Sequence, residues 1–181
     1  IEKAKMMNEF GYSGFAVDMY GDGKVGSSPE ENMELMQAIL DDREMLQRRI
    51  NLAHQTAINK VGVDAKNSAA IGFCFGGLCV LDLARSGSEI SGVVSFHGLF
   101  NAPENLKDYK ITSKILALHG NGDPMVPHQD VNGLANELTK ANADWQIHAY
   151  GNTSHAFTNP LASSPEDGMA FNENSNNRSF T

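Results

Sequence analysis

Residues 68–77 read Ser68-Ala69-Ala70-Ile71-Gly72-Phe73-Cys74-Phe75-Gly76-Gly77. The first six form a continuous apolar run of one strand's length, the pattern of a strand buried on both faces. From about Phe75 to position 85 the apolar residues follow helical spacing, so the chain passes from strand to helix at Cys74. A turn that sharp holds its apex residue in a strained backbone conformation. Side chains at Gly72 and Gly76 are expected to clash there, which explains both glycines. The spacing G-x-C-x-G is that of a nucleophile elbow with a thiol in place of the hydroxyl. The turn lifts the Cys74 sulfur above the sheet edge and sets it at a helix N-terminus, where the dipole favours a thiolate. It also places the Phe75 amide to act as an oxyanion donor. The alternative is a buried structural cysteine in an ordinary Gly-rich turn.

Outward from this segment, strands and helices alternate. Upstream, residues 3–10 read as the end of a helix closed by Gly11, and 14–18 (GFAVD) as a short apolar strand. A loop over 21–28 leads to Pro29, with Ser27 or Ser28 as N-cap and Glu30 and Glu31 in the first helical turn. Met33, Met36 and Ile39 mark one apolar face, and Leu46, Ile50, Ala53, Ala57 and Val61 another beyond Asp41-Asp42. Two consecutive helices are expected rather than one of about thirty residues. Downstream, strands are expected over 90–97, 114–119 (KILALH) and 144–150, with a helix over 128–141. The Asn-rich stretch 172–177 reads as a solvated loop leading to a helix. The fold class is therefore α/β, a mostly parallel sheet with helices on both faces. In such sheets ligands bind at the carboxyl ends of the strands.

Two further residues occupy that position. Asp123 lies in His119-Gly120-Asn121-Gly122-Asp123-Pro124-Met125-Val126-Pro127, directly after the KILALH strand, where Gly and Pro fix the loop's path. His155 lies in Gly151-Asn152-Thr153-Ser154-His155-Ala156-Phe157, just past the last strand. Taken singly, Asp123 reads equally well as a capping residue and His155 as a surface histidine. Together with Cys74 they give the chain order nucleophile, acid, histidine, each after a strand of one sheet, which is the order of α/β-hydrolases.

GFCFGG, HGNGDPMVP and SHAF, with GFAVDMYG upstream, resemble the dienelactone hydrolase family of the α/β-hydrolase superfamily, through nearly the whole chain. The resemblance implies Cys74 as nucleophile, His155 as general base and acid, and Asp123 as the group orienting His155. It also implies hydrolysis of an ester or lactone through an acyl-thiol intermediate. A thioesterase, a general carboxylesterase or a catalytically impaired scaffold are the alternatives. It implies a single α/β-hydrolase domain over 1–181 without the family's N-terminal strands and most of its final helix. The missing strands carry the second oxyanion donor and an acidic residue near the nucleophile. Family enzymes specific for dienelactone hold the substrate carboxylate with two arginines. One follows an Asp-Leu-Tyr segment, where this chain has Asp18-Met19-Tyr20-Gly21-Asp22, and the other lies four residues past the histidine, at Asn159. Neither position is basic, so a neutral ester, lactone or thioester is the expected substrate.

Composition sets outer bounds. The 181 residues are 41% hydrophobic and 20% charged, enough apolar content for a folded core of one domain or two small ones. Acidic residues number 22 against 14 basic, a net charge of −8, which argues against a nucleic-acid or anionic-membrane partner. Only Cys74 and Cys79 are present, a spacing that suits neither a disulfide framework nor a zinc site, so a reducing, cytoplasmic location is expected. No cofactor and no metal are expected, and the partner is a small molecule bound by a monomer or small homo-oligomer. Gly21-Asp22-Gly23-Lys24-Val25-Gly26 matches a dinucleotide-binding spacing, but Ser27-Ser28-Pro29 separates it from the next helix. Cys79, Met33 and Met36 are expected in the core. His54 and His148 read as surface or packing residues, and His97 and His119 as structural histidines close to the presumed pocket.

Overall fold

The computed structural model describes residues 1–104 and 110–181, which form two compact units, Ile1–Ala65 and Lys66–Thr181. The first unit holds α1 (Glu2–Glu9), α2 (Pro29–Leu40) and α3 (Arg43–Val61). The Ser28 hydroxyl accepts from the Glu31 amide, and the Asp42 carboxylate from the Met45 amide. Each cap satisfies an amide that the helix itself cannot, which is why the chain breaks at Asp41-Asp42 and gives two helices. Gly62 closes α3 in the left-handed conformation.

Three expectations fail in this unit. Residues 14–18 form no strand, because a strand needs a neighbour for its amides and none is paired with this segment among the described residues. Met33 is 57% exposed, so only Ile39 of the expected α2 face is buried. On α3 the buried stripe is Leu46, Ile50 and His54, while Val61 is largely exposed. His54 is thus a packing residue one turn beyond Ile50, and burial pushes its pKa below the ordinary imidazole value.

The second unit is a four-stranded parallel sheet in sequence order, β1 (Ala69–Phe73), β2 (Gly92–Phe96), β3 (Lys114–Gly120) and β4 (Trp145–Tyr150). Helix α4 (Phe75–Arg85) joins β1 to β2, and α5 (His128–Lys140) joins β3 to β4. Register aligns Gly72 with Ser95 and Ala117, and Phe73 with Phe96 and Leu118. Because side chains alternate along a strand, these rows lie on opposite faces. Helix α4 packs on the Gly72–Ser95 face so closely that a Cβ at Gly77 would stand 2.6 Å from the Ser95 hydroxyl. Arg85, wholly buried at the end of α4, ties that helix to α5. Its guanidinium donates to both Glu137 oxygens at 2.8 Å, to Asp82 at 3.1 Å and to the Phe100 carbonyl at 2.9 Å. The opposite face carries the cluster Phe96, Leu118, Tyr150 and Phe157. Phe180, just past α6 (Glu173–Ser179), stacks on Phe96 with centroids 4.9 Å apart.

Strand β1 is not buried on both faces as its apolar run implies. Ala69 is exposed and Ile71 and Phe73 are half-buried; among the described residues β1 pairs with β2 alone. The Asn-rich stretch is not a loop but most of α6, capped by the Asn172 side chain, which accepts from the Ser175 amide at 3.0 Å. A small antiparallel pair, β5 (Ser163–Ser164) and β6 (Met169–Ala170), was not anticipated.

Candidate active site

Cys74 sits between β1 and α4 with φ 52° and ψ −120°, a conformation outside the allowed regions for a residue with a Cβ. Gly72 is what permits it, because a Cβ there would overlap the Gly76 carbonyl in the first turn of α4. The expectation for Gly76 fails: a Cβ at that position meets nothing within 4 Å. The second obligatory glycine is Gly77, which lies against Ser95 and Gly98.

Asp123 follows β3 on a turn whose amide bonds back to the Gly120 carbonyl at 2.9 Å. One carboxylate oxygen accepts from the Met125 amide at 2.8 Å, which leaves the other to face His155. The loop after β4 lies directly against it. The Gly122 amide donates to the Thr153 carbonyl at 2.9 Å, and a Cβ at Gly120 would stand 2.5 Å from the Ser154 carbonyl oxygen. The β5–β6 pair holds the histidine's own backbone, with His155 N–H donating to the Gly168 carbonyl at 2.9 Å and Ala170 N–H to the His155 carbonyl at 3.1 Å. Thr153 is anchored in turn by a 2.8 Å hydroxyl contact to the buried Ser175 of α6.

These supports bring the three side chains together. His155 Nδ1 is 2.7 Å from Asp123 Oδ2, and His155 Nε2 is 3.1 Å from Cys74 Sγ. Both contacts lie within the described second unit. His155 and Asp123 are buried, and Cys74 is half-buried. Burial alone would lower the His155 pKa, but the bonds to the Asp123 carboxylate and the Cys74 sulfur outweigh it and push the pKa up to about 9. The imidazolium is therefore the favoured form at neutral pH, flanked by a carboxylate and a sulfur. That constellation can hold a thiolate, accept its proton and return a proton to a leaving group.

The other histidines divide. His97, at the end of β2, is buried and reaches Cys74 and Thr158, so it belongs to this site. His119 is buried beside Phe100, but neither ring nitrogen bonds to protein among the described residues, contrary to the expectation of a satisfied structural histidine. Burial lowers its pKa against the pull of Asp123. His148 is exposed, and Cys79 is a buried core residue. No group of three or more His, Cys, Asp or Glu is placed to hold a metal ion among the described residues. Nor is any described helix long and apolar enough to cross a membrane. In the Gly21–Gly26 loop the amides of Tyr20, Gly21 and Gly23 donate to the Asp18 carboxylate at 3.2, 2.8 and 2.8 Å. Amides that would cradle a phosphate are already taken, which disposes of the dinucleotide reading. Thr158 and the β5–β6 clamp went unnoticed in the sequence, since neither carries a spacing signal.

A thiol on a strand-to-helix turn, with an Asp and a His on the next loops of a parallel sheet, defines an α/β-hydrolase arrangement. The chain belongs to the Dienelactone hydrolase family, which it matches over residues 2–180. It superposes on the crystal structure of a dienelactone hydrolase-like promiscuous phosphotriesterase from metagenomic libraries with a TM-score of 0.91 and 34% identity, covering 99% of this chain and 75% of that one. An uncharacterized protein of Caenorhabditis elegans is 33% identical over 121 residues, 65% of this chain and 77% of that protein. A carboxymethylenebutenolidase homolog of Homo sapiens is 27% identical over 117 residues, 64% of this chain and 44% of that protein. The chain thus spans less than half the length of that human relative.

Proposed function

We propose that the protein hydrolyses a neutral ester or lactone by covalent catalysis at Cys74, with His155 as proton carrier and Asp123 as its orienting group. The observation that carries this reading is the continuous relay from Asp123 Oδ2 through His155 to Cys74 Sγ, at 2.7 and 3.1 Å. The Cys74 thiolate attacks the acyl carbon and forms the C–S bond. The amide of Phe75, at the head of α4, serves as one donor to the oxyanion. Collapse of the tetrahedral species expels the alcohol, which takes its proton from the His155 imidazolium. Water then attacks the thioester, His155 accepts its proton, and the C–S bond breaks to release the acid and restore the pair.

Substrate neutrality is supported by the two positions at which family members specific for dienelactone hold a carboxylate. Here Gly21-Asp22 follows the Asp18-Met19-Tyr20 segment, and the Asn159 side chain accepts from the Leu161 amide. Neither offers a cation. Thioesters and simple carboxylic esters fall within the same chemistry. The test is turnover of p-nitrophenyl acetate by the wild-type chain, by Cys74→Ala and after treatment with iodoacetamide. Hydrolysis abolished in both treated forms is the expected result. Undiminished turnover by Cys74→Ala overturns the mechanism, and one-to-one labelling of wild-type Cys74 without turnover identifies an inert scaffold.

A further inference from the structure

His97 follows β2 directly, is buried, and has φ +40°, a left-handed backbone uncommon for a residue other than glycine. Its ring joins two segments of the site. Nδ1 lies 3.2 Å from the Cys74 amide nitrogen and Nε2 lies 2.9 Å from Thr158 Oγ1. The ring also meets that of His155 edge-on at 5.2 Å and that of Phe157 at 5.1 Å. A backbone amide can only donate, so Nδ1 must carry the lone pair and Nε2 the proton. Nε2–H then donates to the Thr158 hydroxyl. One rigid, neutral ring thus spans from the elbow to the segment that carries His155, three residues before Thr158.

The elbow has need of such a strut. The φ and ψ of Cys74 cost on the order of 1–3 kcal/mol and persist only when surrounding contacts over-determine them. The Cys74 amide also donates to the Phe96 carbonyl at 3.0 Å, so its hydrogen is shared between a sheet bond and the His97 ring. The sheet bond fixes the turn to β2 alone. The ring, through Thr158, links the turn's backbone to the loop of the general base, and so bears on the distance between Sγ and Nε2. Gly98, next along the chain, lets the end of β2 pass close to α4, since a Cβ there would overlap the Ser95 hydroxyl and the Gly77 backbone.

We propose that His97 is a positioning residue, which with Thr158 sets the separation of the Cys74 thiol and the His155 imidazole. The proposal rests on the hydrolase reading above for its kinetic consequence, but its geometric content is independent of turnover. His97→Phe keeps a ring and removes both polar ends. His97→Asn keeps an acceptor at the place of Nδ1 and tolerates the positive φ. Thr158→Val removes only the far partner. Three quantities are measured for each: kcat and KM for p-nitrophenyl acetate, the rate of Cys74 alkylation by iodoacetamide, and the thermal midpoint. Misplacing a nucleophile by about 1 Å costs roughly 100-fold in rate, so His97→Phe should lose about 10- to 100-fold in kcat. KM should stay within about 2-fold, and alkylation should slow in parallel. His97→Asn should recover most of both rates, and Thr158→Val should lose about 3-fold in kcat at unchanged KM.

Equal impairment of the Asn and Phe variants, or wild-type kcat and alkylation in His97→Phe, overturns the proposal. Should His97→Phe not fold, wild-type kcat and alkylation in Thr158→Val overturn it instead. A wild-type chain that is alkylated quickly but does not turn over ester sinks the hydrolase reading while the alkylation series still decides the role of His97.

Discussion

His155 carries the largest electrostatic consequence of the site. Its pKa of about 9 in the folded chain stands against 6.5 for an ordinary imidazole. A group whose pKa is raised by folding stabilises the fold fully below its unfolded pKa, and that stabilisation fades as pH rises through the folded value. The contribution is on the order of 3 kcal/mol, from 1.36 kcal/mol per pKa unit. Asp123→Asn keeps the shape and the Met125 bond while removing the charge that favours the imidazolium. Wild type should therefore exceed Asp123→Asn in unfolding free energy most at pH 6, with the gap narrowing between pH 7 and 10. Urea titrations at four pH values measure it, and a gap that stays constant across the range would refute the charge-based account. The three side chains of the relay were legible in the sequence because each follows a strand and their chain order is restrictive. His97 was legible only as a neighbour of the pocket. Its partner Thr158 was not legible, since a threonine three residues past a histidine carries no signal until the loop's path is known.

At the level of elements, the strand-to-helix junction separates two glycines that look alike in G-x-C-x-G. Gly72 is packed against the Gly76 carbonyl, whereas a Cβ on Gly76 meets nothing within 4 Å. Gly72→Ala should cost at least about 3 kcal/mol or prevent folding, because the overlap is with helix backbone that cannot yield cheaply. Gly76→Ala should be neutral or stabilising by up to about 1 kcal/mol, the helical preference of alanine over glycine. Denaturant midpoints compare the two, and equal losses would mean that the junction's shape is not what the packing implies. Most helices were legible almost to the residue, as with α4, whose apolar spacing is a local property, but the stretch that forms α6 reads as a loop. Strand burial was not. Among the described residues the run at 68–73, with the composition of a central strand, pairs on one side only, and 14–18, with the composition of a strand, has no paired neighbour. Both depend on what lies alongside, which apolar content does not encode.

For the molecule as a whole, the net charge of −8 acts on any charged substrate before it reaches Cys74. Like charge slows encounter, and salt screens the effect over a Debye length of about 10 Å at 0.1 M. Within the second unit, the Asp123 carboxylate is engaged by the Met125 amide and by His155, and the fully buried Arg85 at the end of α4 is spent on Asp82 and Glu137. Of the relay's own groups, His155 is the one that carries positive charge, and it is committed to the thiol and to Asp123. Two p-nitrophenyl esters of similar size separate the possibilities, one neutral such as the butyrate and one carrying a carboxylate such as the hemisuccinate. The neutral ester should be hydrolysed with a kcat/KM at least about 10-fold higher at low ionic strength, the scale of electrostatic steering. Raising the salt to about 0.5 M should narrow the ratio by relieving only the encounter part. The part that survives at high salt measures the lack of a carboxylate clamp. A preference for the hemisuccinate at any ionic strength would mean that a cation reaches the acyl pocket, and would return a carboxylate-bearing lactone to the head of the substrate classes.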